Sequence, residues 1–119
     1  MTTTTETAVA RVTLYNGPTF DVRIELSTTP GGAVKMVARS GSLESHKYSK
    51  CSGYRYLVVE PTISRWRWDG SEPVRELTLG LNLVKRTDNV KTARDEVRLR
   101  SPGAVIFARL SDGSYSPIR

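Results

Sequence analysis

The chain has 119 residues, a formal net charge of +6, 25% charged residues and a single cysteine. That is one domain, large enough to bury roughly two thirds of its unfolded surface. No run approaches the roughly 20 apolar residues of a membrane span, no charged-then-apolar secretory pattern opens the chain, and Cys51 has no second thiol for an internal disulfide.

Thirteen of the eighteen basic residues are arginine. Guanidinium groups make planar, forked contacts to phosphate and stack on flat rings, so this bias suits a polyanionic partner. The plain alternative is a merely basic soluble protein. Acidic residues are scattered throughout, so no basic tail exists, and a nucleic-acid surface has to be built by folding.

The polar tract Thr2 to Thr5 makes residues 1–7 a flexible or extended end. Residues 9–15 carry Val12 and Leu14 in alternation and stop at Asn16-Gly17-Pro18, a strong turn. Residues 20–26 alternate Phe20, Val22, Ile24 and Leu26 with Asp21, Arg23 and Glu25 and stop at Thr29-Pro30-Gly31-Gly32, which makes the two runs a hairpin. Residues 33–38 form a third strand and 43–50 a fourth. Gly53 opens a fifth, which bends at Pro61 and continues through Trp66. After the loop Asp69-Gly-Ser-Glu-Pro73, a sixth strand covers 74–84. Leu77, Leu79, Leu81 and Leu83 lie on one face of it, and Glu76, Thr78, Gly80 and Asn82 on the other.

The C-terminal third changes character. Thr87 or Asp88 can cap a helix whose apolar residues Val90, Ala93 and Val97 fall at helical spacing. Ser101-Pro102 has the pattern of a second helix start, with Gly113 past its end. A rival is a hairpin of 96–100 with 104–110, and the β-rich Ala104-Val-Ile-Phe favours it. The expected class is α+β: an antiparallel sheet of about six strands with one or two C-terminal helices. A lone sheet of that size leaves an apolar face without cover, which predicts an obligate dimer with each partner's helices over the other's sheet.

In order of elements and in length, the chain resembles the coat proteins of single-stranded RNA bacteriophages, the levivirus-like group. The N-terminal hairpin at Asn16-Gly17, Leu43-Glu-Ser-His-Lys-Tyr-Ser-Lys leading into Gly53-Tyr-Arg-Tyr-Leu-Val-Val, and the short loop before Val74-Arg-Glu-Leu-Thr-Leu carry the likeness, with a final Ala108-Arg-Leu-Ser-Asp-Gly. It rests on pattern and spacing over nearly the whole chain. The arginine-rich C-terminal segment with Pro102-Gly103 departs from the longer apolar helix usual in that family. The resemblance implies a homodimer with one continuous sheet and an icosahedral shell around single-stranded RNA. It also implies a virion protein assembled in the bacterial host cytoplasm, with the 69–73 loop at symmetry axes. The inward polar sheet face would bind RNA, including a genomic hairpin acting as translational operator.

Carried over by position, that face takes Lys47 and Ser49 from the fourth strand, Tyr56 and Val58 from the fifth, and Glu76 and Thr78 from the sixth. Arg65 and Arg67 alternate with Trp66 and Trp68, so the arginine pair would share the face toward RNA and the tryptophans the other, at a subunit contact. Cations neutralise phosphates, hydroxyls bond to bases and aromatic rings stack on unpaired bases. The plain alternatives are solvated arginines beside core tryptophans, and cross-strand packing for Tyr54 and Tyr56. His46 has no serine-base-acid arrangement around it, and the chain has no phosphate loop, paired-carboxylate cleft or metal-ligand spacing. The expectation is therefore no enzyme, no cofactor or metal, no small-molecule substrate and no membrane. The competing readings are a small β-barrel nucleic-acid-binding protein and a β-sandwich tail or decoration protein of a phage. Helices swapped over a partner would favour the coat, and a closing hairpin the barrel or sandwich.

Overall fold

The computed structural model describes residues 7–14, 17–50, 53–100 and 103–118, and at 67–69 the backbone alone. The chain is α+β and mostly antiparallel β-sheet. Its elements are β1 (Thr7–Thr13), β2 (Thr19–Thr28), β3 (Val34–Ser40), β4 (Leu43–Ser49), β5 (Tyr56–Asp69), β6 (Glu72–Thr87), α1 (Val90–Arg100), β7 (Val105–Arg109) and β8 (Tyr115–Ile118).

The alternation read from the sequence becomes the burial pattern. Val22, Ile24 and Leu26 of β2 point inward while Asp21 and Arg23 stay exposed, and Ala8 and Ala10 of β1 pair across from Ile24 and Val22. β1 to β4 form one sheet in sequence order, and β6-β5-β7-β8 form the second. The two sheets close on one apolar core: Ile24, Leu26, Met36 and Val34 from the first meet Leu57, Val59, Leu81 and Phe107 from the second. Each such side chain, fully buried, contributes roughly 1.5–3 kcal/mol.

α1 lies on the outer face of the second sheet, where Ala93 is buried with Val58 and Ile106, and Tyr56, Val84 and Val97 pack around them. The Asn89 carboxamide caps it, accepting from the backbone N–H of Lys91 (2.9 Å) and Thr92 (3.3 Å). The cap thus sits one residue beyond Asp88 and two beyond Thr87, the expected positions. Thr87 accepts the Asn89 N–H at 3.1 Å, and Asp88 accepts the Arg55 N–H at 2.9 Å. Arg98 and Arg100 close the helix at its negative end, and Arg100 bonds Glu96 at 2.8 Å.

Three expectations are corrected. The described residues contain eight strands in two sheets, not about six in one. Residues 105–109 form a strand, so no helix occupies them, because Val105, Ile106 and Phe107 add to β5 and bury against its core. The rival hairpin is corrected as well: 96–100 is helical, and β7 pairs with β5 and β8. The proposed start at Ser101-Pro102, the N-terminal residues 1–6 and Cys51 lie outside the described residues. The apolar face that called for a partner's helices is covered by the chain's own first sheet, so that reason for a dimer falls away.

Beyond the core pair Ile63 and Leu79, β5 and β6 continue as a two-stranded arm to the turn between Asp69 and Glu72. Gly70 takes φ 66° at the first central position of that turn, a conformation open to glycine without steric cost. From Ser64 to Asp69 the arm adds about 17 Å at the usual rise, consistent with a long axis of 46 Å.

Phe107 is fully buried and Leu99 is 82% exposed. Phe107→Ala should therefore cost about 3–5 kcal/mol of unfolding free energy and Leu99→Ala no more than about 0.5 kcal/mol, read from urea midpoints. Equal losses would show the core to be misassigned.

Candidate nucleic-acid interface

Strand register gathers charge that the sequence disperses. β3 begins, β4 ends, β5 begins, β6 ends and β7 ends at one pole of the molecule: Lys35 pairs with Tyr48, Tyr56 with both Thr87 and Ala108, and Leu57 with Arg86. Two bonds fasten this end, the first between the two sheets and the second within the second sheet. Thr28 Oγ1 donates to the Gly113 carbonyl at 2.8 Å, and the Tyr115 hydroxyl donates to the Tyr54 carbonyl at 2.6 Å.

The pole carries Lys35, Lys47, Lys50, Arg55, Lys85, Arg86 and Arg109 against the carboxylates Asp88 and Asp112. Both carboxylates are engaged by neutral donors. Asp88 holds the Arg55 N–H, and Asp112 accepts the Ser114 hydroxyl (2.6 Å) and N–H (2.9 Å). The Ser114 bonds hold the Asp112 carboxyl below its ordinary value, so it stays charged within its turn.

The outer face of the first sheet contrasts with this. There Arg11 pairs with Asp21, and Arg39 with Glu25 and Glu44, while His46 bonds Glu44. Among the described residues no ion pair joins a carboxylate to Lys35, Lys47, Lys50, Arg55, Lys85 or Arg86. Like charges collected without partners repel one another, and a polyanion relieves that repulsion.

Two tyrosines stand among these cations. Tyr48 is 61% exposed with the Lys35 ammonium 6.0 Å from its ring centre, and Tyr54 is 37% exposed with the Arg86 guanidinium at 5.6 Å. A cleft of about 320 Å³ opens next to the Tyr54 segment, lined by Arg55, Tyr56, Ala108, Arg109, Leu110 and Ser111. Open rings beside cations and a cleft walled by two arginines are what single-stranded nucleic acid needs: stacking surfaces and phosphate contacts.

The residues singled out from the sequence divide between this pole and the arm. Lys47 is exposed and Ser49 half-buried on β4, paired with Met36 and Val34. Tyr56 is half-buried against α1 at the pole. Val58 is fully buried beneath α1, because the helix covers the face on which period two had placed it with Tyr56. It has no surface to offer RNA.

Arg65 lies at the base of the arm, about 30 Å along β5 from Tyr56 at the usual rise. Its guanidinium packs so closely on Gly17 that a β-carbon there would come within 1.9 Å of it. The Arg67 backbone pairs with Val74, and its side chain lies outside the described residues. Glu76 is exposed in a cleft of about 470 Å³ with Arg65, Arg75 and Leu77, and Thr78 is half-buried opposite Ser64. A bulge between Ser64 and Trp66 breaks the alternation there, so the arginine–tryptophan interleave does not sort by period two alone. Trp66 is 59% exposed, not a core residue.

Sequence reasoning passed over Lys35, Lys50, Arg55, Lys85, Arg86 and Arg109 as binding residues. Their one local signal is position: each sits at or near a strand end, and only pairing shows that those ends coincide.

No family model matches the chain, and no curated protein or solved structure matches it either.

Replacing Lys50, Arg55, Lys85 and Arg86 together by glutamine should weaken binding to single-stranded RNA. The slope of log K against log salt should fall by about 0.7 for each phosphate that is no longer neutralised. Arg65→Gln, at the arm, should leave that slope where it was. The reverse pattern in a salt titration would move the interface to the arm.

Glu44 is held below its ordinary value of 4.5 first by the His46 hydrogen bond and then by Arg39. Its folded value is the lower one, so its contribution is present above the unfolded value and lost as pH falls below about 4.5. Glu44→Gln should lower stability slightly at neutral pH, leave it unchanged well below the Glu44 titration, and so flatten the acid limb of a pH–stability curve. An unaltered acid limb would show that the pairing adds nothing.

Proposed function

We propose that this chain is a structural coat protein that pairs with a second copy, assembles into an icosahedral shell and encloses single-stranded RNA. It would be a virion component built in the bacterial host cytoplasm. The observation that carries this reading is the division of the molecule into two ends. One collects lysines and arginines beside exposed tyrosines, and the other extends a two-stranded arm. RNA belongs at the first and copies of the chain meet through the second. The pole replaces the single polar sheet face as the principal RNA surface, with Lys47, Ser49 and Tyr56 kept within it.

The arm supports association in a second way. β6, with 16 residues, is an edge strand of its sheet. A long edge presents unpaired backbone donors and acceptors, which another strand can satisfy. Two copies meeting antiparallel along β6 would join two four-stranded sheets into one, the continuous sheet that the resemblance implies. Trp66 and Leu77, 59% and 39% exposed, leave apolar surface on the same arm. Recognition of one genomic hairpin would reside in the tyrosines and the clefts beside them, with the cations holding phosphates regardless of sequence.

A second reading is favoured by one specific observation: the two sheets close their core within a single chain. A self-contained sandwich suits a tail or decoration protein of a phage, whose copies add to an existing assembly.

The test is expression of the chain alone in bacteria, followed by gel filtration, electron microscopy and the ultraviolet absorbance ratio. Uniform spherical particles carrying nuclease-protected RNA are expected. Rings, tubes or monomers free of nucleic acid would overturn the coat reading and favour the second.

A further inference from the structure

A shell cannot close through one two-fold contact, because an isologous pairing is complete at two copies; a heterologous contact is also required. We infer that this contact is the tip of the β5–β6 arm of one copy seated in a groove between α1 and the β1–β8 side of the next. The inference rests on the shell reading above.

The groove has a volume of about 630 Å³. Val9, Val97, Val105 and Ile118 supply apolar wall, and Arg94 and Arg98 stand at its border on α1. Val9 is 59% exposed, an apolar side chain left in solvent on an edge strand. Arg98 is 81% exposed and only loosely paired with Asp95, at 3.7 Å. The groove is thus an apolar floor with two cations beside it.

The arm tip is its complement in both respects. The turn Asp69-Gly70-Ser71-Glu72 brings two carboxylates by sequence, with Glu72 exposed, and Trp66 stands exposed three residues before it. An indole over apolar wall and carboxylates against guanidiniums would give the contact a buried anchor and a charged rim.

The geometry excludes an arm closing on its own groove. Val105 and Ile106 of the groove pair with Val59 and Val58 of β5. Asp69 lies ten residues further along the same strand, about 33 Å away. The groove also lies on the β7–β8 side of β5, opposite β6. The contact therefore runs from one copy to the next, head to tail; alone it gives rings or filaments, and together with the two-fold pairing it closes a shell.

Charge reversal tests it, with particle yield read by sedimentation and folding followed by circular dichroism. Arg94→Glu with Arg98→Glu should stop assembly at the two-copy stage, and so should Asp69→Arg with Glu72→Arg. All four substitutions in one chain should restore particles. Wild-type particle yield from either reversal alone, or failure of the four-fold chain to assemble while folded, would overturn the inference. If the chain's own first six residues fill the groove instead, the Arg94 and Arg98 reversal will lower the Tm and leave particles intact, which also overturns it.

A covalent measurement stands apart from shell formation. In a Cys51→Ser background, Glu72→Cys with Arg98→Cys should give a ladder of disulfide-linked oligomers longer than dimers on a non-reducing gel. Absence of that ladder sinks the arm contact, whether or not particles form. A ladder without wild-type particles keeps the contact and removes the shell.

Discussion

Three consecutive side chains, Leu57, Val58 and Val59, are fully buried, and the placement of everything else depends on them. Successive residues on a strand face opposite ways, so burying all three requires cover on both faces of β5. The first sheet supplies one cover, against Leu57 and Val59; α1 supplies the other, against Val58. β5 is therefore the fixed axis of the molecule. Its start lies at the basic pole and its end forms half of the arm, so the two candidate functional regions are held apart by one continuous strand.

Electrostatics divides along the same axis. On the outer face of the first sheet, arginines and carboxylates neutralise one another in exposed pairs, which contribute little to stability. At the pole, cations converge while the nearby carboxylates are occupied by backbone and hydroxyl donors. Folding thus costs some repulsion at that end, and a polyanion removes it. The apolar excess is also local: Trp66 and Leu77 on the arm, Val9 and Leu99 toward the helix side. Of these, Trp66, Leu77 and Val9 lie where the proposed contacts between copies fall.

Much of the sheet was legible in the sequence because period two is a local signal. The alternations at 20–26 and 77–83 correctly separated Val22, Ile24 and Leu26 from their charged neighbours, and Leu79 and Leu81 from Thr78 and Asn82. The first helix was legible from its spacing, although its cap is Asn89 and not Thr87 or Asp88. What covers an apolar face is not a local property, and this is why one sheet awaiting a partner was expected where two sheets closed on each other. The same limit misplaced Val58, whose face reads as neutral until α1 is laid on it. The helix-start pattern at Ser101-Pro102 conflicted with the β-rich run at 104–107, and for Val105 to Phe107 pairing with β5 decided for the strand. The basic pole was hidden for a related reason: its cations run from Lys35 to Arg109 in sequence and meet only through register.

The most direct test of the account is photochemical. The purified chain would be irradiated on a short uridine-rich single-stranded RNA and the crosslinked peptides identified by mass spectrometry. Crosslinks at Tyr48 and Tyr54, abolished by raising the salt, are the expected result. Crosslinks confined to the arm around Trp66, with none at the pole, would contradict it.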